Sequence, residues 1–312
     1  MVSEAQGLIE ITGLTKSFGA VRAVDNLTFS VSPGTVVGFL GPNGAGKTTT
    51  LRMLVGLVRP DAGSATIGGR PYAALPQPND VVGAVLESSG FYPAHSGLEH
   101  LRVYCRVNGY PKDRAHDVLE MVGLTDAARR PVRGYSLGMR QRLALGAALL
   151  GDPRVLVLDE PANGLDPEGI AWMRRLLRQL GDEGRTVLVS SHVLSEVQQL
   201  VDHVVIIRDG RLVGQGSLLE LEEARGTVVS VLTPAIDDLL SALARAGHSA
   251  ERAGPEELRV VGVPARDVGR IAHVERIELH GLTSERSGLE EVFFALTADA
   301  EQPGVPSGTS RS

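Results

Sequence analysis

An α/β fold built on a mostly parallel sheet is predicted by three observations. Short apolar runs recur at 35–40, 154–160, 185–191 and 203–210, with helical patterns between them. These runs are almost continuously apolar rather than alternating, as expected of strands buried on both faces. A glycine-rich turn, "GPNGAGKTT" (41–49), joins the first run to a helix beginning at Lys47.

Taken in order, "LIEITGLTKSF" and "AVDNLTFSVSPGTVVGFLGP" suggest an opening pair of strands, which adds an antiparallel β subdomain. The insertion at about 90–130 is less regular and is expected to form a helical subdomain. The helix after 166 is the best signalled. Asp166 suits its N-cap and Pro167 its first position. Ile170, Met173, Leu177 and Leu180 make its buried stripe, and Gly181 is expected to stop it. A further helix is expected at 193–201.

Near Gly216 the pattern changes. A short acidic-apolar helix (217–225), "TVVSVL", a helix at 236–246, "ELRVVGV", a helix near 264–274, "RIELHGL" and "GLEEVFFALTAD" alternate as in a small α+β domain. The expected division is therefore 1–225, 226–298 and a Pro/Gly/Ser-rich tail, 299–312, too poor in apolar residues to fold.

Composition narrows the class of function. With 312 residues, 43% of them hydrophobic, the chain has the length for a sizeable core. A net charge of −6 without a dense basic run argues against a nucleic-acid partner. The single cysteine, Cys105, excludes an internal disulfide and reads as a small buried hydrophobe in a reducing compartment. No basic-then-apolar leader begins the sequence, and no apolar stretch approaches the ~20 residues that span a bilayer. Any membrane role is expected to come through a partner.

The turn at 41–49 fits G-x-x-x-x-G-K-[ST] in the required context, after a strand and before a helix. Gly41, Pro42, Asn43, Gly44, Ala45 and Gly46 curl the backbone so that its N–H groups converge on phosphate oxygens. Lys47 reaches the β and γ phosphates, and Thr48 offers a hydroxyl to Mg²⁺ with Thr49 beside it. A P-loop NTPase fold binding a nucleoside triphosphate follows. "VLVLDE" then brings Asp159 and Glu160 to the carboxyl end of a buried strand, where open α/β sheets bind ligands. Asp159 suits Mg²⁺ coordination, and Glu160 suits deprotonation of a water attacking the γ phosphate. "SSH" ends the next strand and sets His192 at the same sheet edge.

One stretch is unexplained by a single chain. In "RGYSLGMRQRL" (133–143), Ser136 suits a helix N-cap and Gly138 permits a close backbone approach, which is half of an anion site. With the motifs in this order, residues of about 8–225 resemble the ATP-binding cassette (ABC) ATPase subunits of transporters. The resemblance implies the missing half. Two cassettes would face head to tail, with Ser136 and Gly138 contacting the γ phosphate of ATP held by the other subunit. Tyr135, Leu137 and Met139 depart from the family's L-S-G-G-Q at that motif. The resemblance also implies that Phe18 stacks on adenine, and that "NGLD" (163–166) lies near the dimer interface. Glu87, standing where glutamine is usual, becomes a third Mg²⁺ ligand.

Glu87, the Y-S-L-G-M signature and "LEEVFFALT" are together similar to bacterial exporter ATPases of the drug, antibiotic or lantibiotic type. That resemblance implies an ATP- and Mg²⁺-dependent hydrolase, peripheral on the cytoplasmic face of the membrane. It would act as a dimer with a separate permease, which Phe91, Tyr92 and Tyr104 would meet. A permease-independent ABC ATPase acting on ribosomes, DNA or regulation usually carries two cassettes or long coiled coils. This sequence has one cassette and no heptad run. An importer ATPase is a further alternative, against which Glu87 and the C-terminal domain weigh. A non-ABC P-loop kinase or GTPase would leave the signature and "SSH" unexplained.

Overall fold

The computed structural model describes residues 7–86, 90–218, 220 and 227–286. The chain divides into two compact units, 1–218 and 219–312.

In the first unit, β1 (Ile9–Phe18), β2 (Val21–Val31) and β4 (Ala62–Ile67) form an antiparallel sheet in the order β2-β1-β4. The larger sheet contains β3 (Val36–Leu40), β5 (Val82–Val85), β6 (Val155–Leu158), β7 (Thr186–Ser191), β8 (His203–Arg208) and β9 (Arg211–Ser217). Its order is β5-β6-β7-β3-β8-β9, parallel except for the antiparallel edge pair β8/β9. Every residue of β3, β6 and β7 is buried, which is why these strands read as unbroken apolar runs.

Helix α1 (Lys47–Leu54) leaves β3 and buries Leu51, Met53 and Leu54 in a core shared by both sheets. Phe29 of β2 meets Phe39 of β3 there with ring centroids 5.3 Å apart. Each fully buried side chain of this size contributes about 1.5–3 kcal/mol. The shared core thereby fixes the position of the loop between β3 and α1.

After the short helix α2 (Pro78–Val81), α3 (Gly97–Asn108), α4 (Arg114–Met121) and α5 (Leu137–Leu149) make the helical subdomain. Helix α3 opens with a capping box, Ser96 Oγ accepting from the Glu99 N–H while the Glu99 carboxylate accepts from the Ser96 N–H. Cys105 is buried on this helix. Helix α6 (Pro167–Asp182) is capped by Asp166, whose Oδ1 accepts from the Gly169 N–H at 2.7 Å.

Expectations about two helices are corrected. Helix α6 runs through Gly181, whose missing Cβ leaves room for Val36, and the chain turns out of the helix at Gly184 with φ +86°. Its buried face includes Leu176 as well as Met173, Leu177 and Leu180, whereas Ile170 is half-buried. The helix expected at 193–201 is one turn, α7 (Leu194–Val197), followed by turns.

The second unit runs β10 (Thr227–Leu232), α8 (Ile236–Arg245), β11 (Ala250–Arg252), β12 (Glu257–Val261), α9 (Ala265–Val274) and β13 (Gly281–Arg286). Its sheet is antiparallel in the order β11-β12-β10-β13, the split βαββαβ arrangement. Val229, Val231, Leu258 and Val260 pack against Ile236, Leu239, Leu243 and Val268 of the two helices. The strand expected from "RIELHGL" starts later, at Gly281, because Ile277 and Leu279 pack into this core from a loop.

"GLEEVFFALTAD", the tail 299–312 and most of the helix expected at 217–225 lie outside the described residues. Among the described residues no helix is long and apolar enough to cross a membrane.

Candidate functional site

The carboxyl ends of β3, β6 and β7 are adjacent in the sheet, and each carries a motif singled out in the sequence. From β3, the loop 41–46 turns into α1. Gly46 has φ +101°, and a Cβ on it would lie 2.4 Å from the Ala23 carbonyl oxygen, so glycine is required there. Lys47 is buried, with Nζ donating to the carbonyl oxygens of Gly41 at 2.7 Å and Pro42 at 3.2 Å. Thr48 and Thr49 follow in the first turn of α1, where N–H groups lack helical partners.

From β6, Asp159 donates its N–H to the Val85 carbonyl of β5 at 2.8 Å, which ties its main chain to the sheet. Glu160 follows in the left-handed region at φ +48°, a conformation that costs a non-glycine residue on the order of 1 kcal/mol. Its side chain is held on both oxygens. Oε1 lies 3.2 Å from Lys47 Nζ, and Oε2 accepts from Asn163 Nδ2 at 3.2 Å. His192 Nδ1, from beyond β7, lies 2.6 Å from the same Oε2. The structure thus brings Lys47, Glu160 and His192 into one contact chain.

Ser190 stands between the two carboxylates and was not singled out in the sequence. Its Oγ donates to Asp159 Oδ1 at 2.6 Å and accepts from the Glu160 N–H at 2.9 Å. Its one mark in the sequence is its place in "SSH", inside β7 and two residues before His192.

The donor set fits the groups expected to bind. A buried lysine satisfied only by two carbonyls and one carboxylate, beside a helix N-terminus, suits a phosphate chain. The Thr48 hydroxyl and the Asp159 carboxylate are hard oxygen donors of the kind that would hold Mg²⁺ beside a phosphate chain. Glu87 lies outside the described residues.

Phe18, at the end of β1, is about half exposed, with Lys16 Nζ 5.5 Å from its ring centroid. Lys16 in turn pairs with Asp61 at 2.8 Å, and Asp61 also accepts the Ser17 N–H. Ser136 caps α5, its Oγ accepting from the Met139 N–H at 3.2 Å, and is exposed. Tyr135 is buried and donates its hydroxyl to the Ala127 carbonyl at 2.7 Å. Leu137 packs on Gly164 of the loop after Glu160, and Gln141 Nε2 donates to the Pro161 carbonyl of that loop at 3.1 Å. Helix α5 and the loop after Glu160 are therefore in contact within one chain.

A family profile described as ABC transporter matches residues 24–163, and one described as a domain of unknown function (DUF8746) matches 227–290. The chain is 46% identical over 210 residues to the bacitracin transport ATP-binding protein of Bacillus licheniformis, covering 66% of this chain and 68% of that one. It is 36% identical to the daunorubicin/doxorubicin resistance ATP-binding protein of Streptomyces peucetius, covering 93% and 92%. A solved ATP-binding subunit of an ABC transporter superposes with TM-score 0.63 at 27% identity, over 70% of this chain and 92% of that one. A bacterial ABC transporter cassette solved as a dimer shares the fold, with TM-score 0.62 at 24% identity over 67% and 98%. Order of motifs, sheet topology and relatives agree, and the chain belongs to the ATP-binding subunits of ABC transporters.

Proposed function

We propose that this subunit hydrolyses ATP to drive export of an antibiotic-like compound through a separate membrane permease, working as a dimer on the cytoplasmic face of the membrane. The observation that carries the catalytic part is the convergence of Lys47, Glu160 and His192, with Asp159 joined to Glu160 through Ser190. Gly41–Gly46 and Lys47 hold the phosphates, and Phe18 stacks on the adenine. Mg²⁺, held by Thr48 and Asp159, neutralises charge on the phosphate oxygens when bound.

Arrival of a phosphate chain gives Lys47 a stronger partner than a single carboxylate, which frees Glu160 Oε1 to accept a proton from water. His192, fixed against Oε2, orients that carboxylate and faces the γ phosphate. Ser136 and Gly138 of one chain close over the nucleotide of the other, and Asp166 lies near that interface. The exposed position of Ser136 leaves its hydroxyl accessible to a partner. Hydrolysis then reopens the pair.

The permease assignment draws on two supports. Relatives carry names of bacitracin transport and of daunorubicin/doxorubicin resistance. The helical subdomain also borders a groove of about 350 Å³ lined by Leu57, Phe91, His100, Tyr104 and Tyr110. Leu57, Tyr92, Val103, Tyr104 and Val107 are exposed hydrophobics, a composition suited to docking a helix of a membrane protein.

The test has two arms. Glu160→Gln should keep ATP binding and accumulate a closed dimer with turnover reduced by about 10²-fold or more; wild-type turnover would overturn the catalytic reading. Extraction in mild detergent should recover an integral membrane protein with this chain, and recovery of ribosomes or DNA instead would favour a permease-independent ATPase.

A further inference from the structure

The geometry points to Ser190 as a positioning residue for ATP hydrolysis, a single hydroxyl that holds the Asp159 carboxylate and the Glu160 main chain in one fixed relation. This rests on the roles proposed above for Asp159 and Glu160.

Ser190 is fully buried at the end of β7, beside β6, and its hydroxyl has one proton to give. That proton goes to Asp159 Oδ1 at 2.6 Å, a short charge-assisted bond. With the proton committed, a lone pair is left facing the Glu160 N–H, which it accepts at 2.9 Å. The two bonds determine each other. An oxygen turned to serve Asp159 is also oriented to serve Glu160, and loss of either partner would loosen the other.

Two features show why such a clasp matters at this place. Asp159 and Glu160 are neighbours in sequence whose tasks differ, one facing a cation and the other a water. Glu160 also occupies the left-handed region, which the backbone leaves unless held. The Ser190 oxygen supplies a hold on the Glu160 N–H from an adjacent strand. At the same time the bond engages Asp159 Oδ1 and not Oδ2, the oxygen that the proposed cation would take. Ser191, the next residue, differs. Its Oγ donates to the Val193 carbonyl and accepts from the Val193 N–H, both at 3.0 Å, and so shapes the turn that follows the strand.

The full-length chain is assayed for ATP turnover against Mg²⁺ concentration, and for ATP binding in EDTA. Ser190→Ala should lower kcat by about 10–100-fold and raise the half-saturating Mg²⁺ concentration about tenfold, the usual range for outer-shell partners. ATP affinity without metal should stay within about twofold, since the Lys47 cradle is untouched. Ser190→Thr, which keeps the hydroxyl, should restore most of the Mg²⁺ dependence. Ser191→Ala should leave that dependence unchanged.

Ser190→Ala with wild-type turnover and Mg²⁺ dependence, alongside an inactive Glu160→Gln, would overturn this inference and leave the underlying reading standing. Wild-type turnover in Glu160→Gln would instead remove the reading itself. A lowered unfolding midpoint with no change in Mg²⁺ dependence would make Ser190 a packing residue only. Should the alanine variant not fold, Ser190→Cys keeps the volume with a weaker donor, and an unshifted Mg²⁺ dependence there would equally overturn the inference.

Discussion

Glu160 Oε2 and His192 Nδ1 lie 2.6 Å apart, joining the ends of two neighbouring parallel strands. A histidine this close helps to fix the carboxylate's rotamer, with Asn163 on the same oxygen and Lys47 on Oε1. His192→Ala should therefore reduce ATP turnover by about 10²-fold while ATP binding stays near the wild-type level. Turnover and equilibrium binding measured on the same sample check this. Equal losses in both would make His192 a structural residue of the pocket.

Leu137 and Gly164 form a second contact between motifs. Gly164 has φ +74°, and a Cβ built there would lie 2.2 Å from Leu137 Cδ2. Leu137, a departure from the family's glycine, thus covers the loop after Glu160 with a side chain. Gly164→Ala should destabilise the first unit by about 1–3 kcal/mol through backbone strain and overpacking. Adding Leu137→Ala should relieve the overpacking and leave the strain, a coupling of at least about 0.5 kcal/mol in denaturant unfolding. Strict additivity would show that Leu137 does not rest on the loop.

Stability should also depend on pH through His100. Burial, with a smaller contribution from His95, holds its pKa below the ordinary value of 6.5. Phe91 and Tyr104 flank the ring, with centroids at 4.9 and 5.0 Å. Between the lowered value and about 6.5 the unfolded chain carries more protons than the folded one. Unfolding free energy should therefore rise with pH across that window, level off above it, and fall as the medium is acidified below about 6.5. Denaturant unfolding of wild type and His100→Gln from about pH 5 to about pH 8 checks the sign, the variant losing this component.

How far the sequence disclosed these features follows from where each signal resides. The 41–49 turn was legible because strand, glycines and lysine are contiguous, so a local pattern suffices. The strands β3, β6, β7 and β8 were legible because burial on both faces leaves an unbroken apolar run. Strand β5 was not distinguished, since Gly83 and Ala84 dilute its four residues and its identity comes from pairing with β6. Helix α6 was legible except at its end, where Gly181 serves close packing on Val36 rather than termination. Ile277 and Leu279 imitated a strand because loop residues also fill a core. Ser190 is legible only as part of "SSH", because its meaning lies in two bonds across strands.

The exposed face of α3 yields the last prediction. Val107 is 77% exposed, Val103, Tyr104 and Tyr92 are exposed hydrophobics on or just before α3, and exposed Leu57 lines the same groove as Tyr104. Exposure on this scale means that Val107→Asp removes little packing, so its stability should change by less than about 0.5 kcal/mol. ATP turnover of the isolated chain should likewise stay within about twofold, because α3 contributes no group to the phosphate site. A membrane helix seated on this face, however, would have to bury the new carboxylate without a partner, at a cost on the order of 2–3 kcal/mol. Recovery of the membrane protein in mild detergent should then fall at least about tenfold. Undiminished recovery with Val107→Asp would place the docking surface elsewhere on the chain. A matched fall in ATP turnover would instead tie α3 to the phosphate site rather than to a partner.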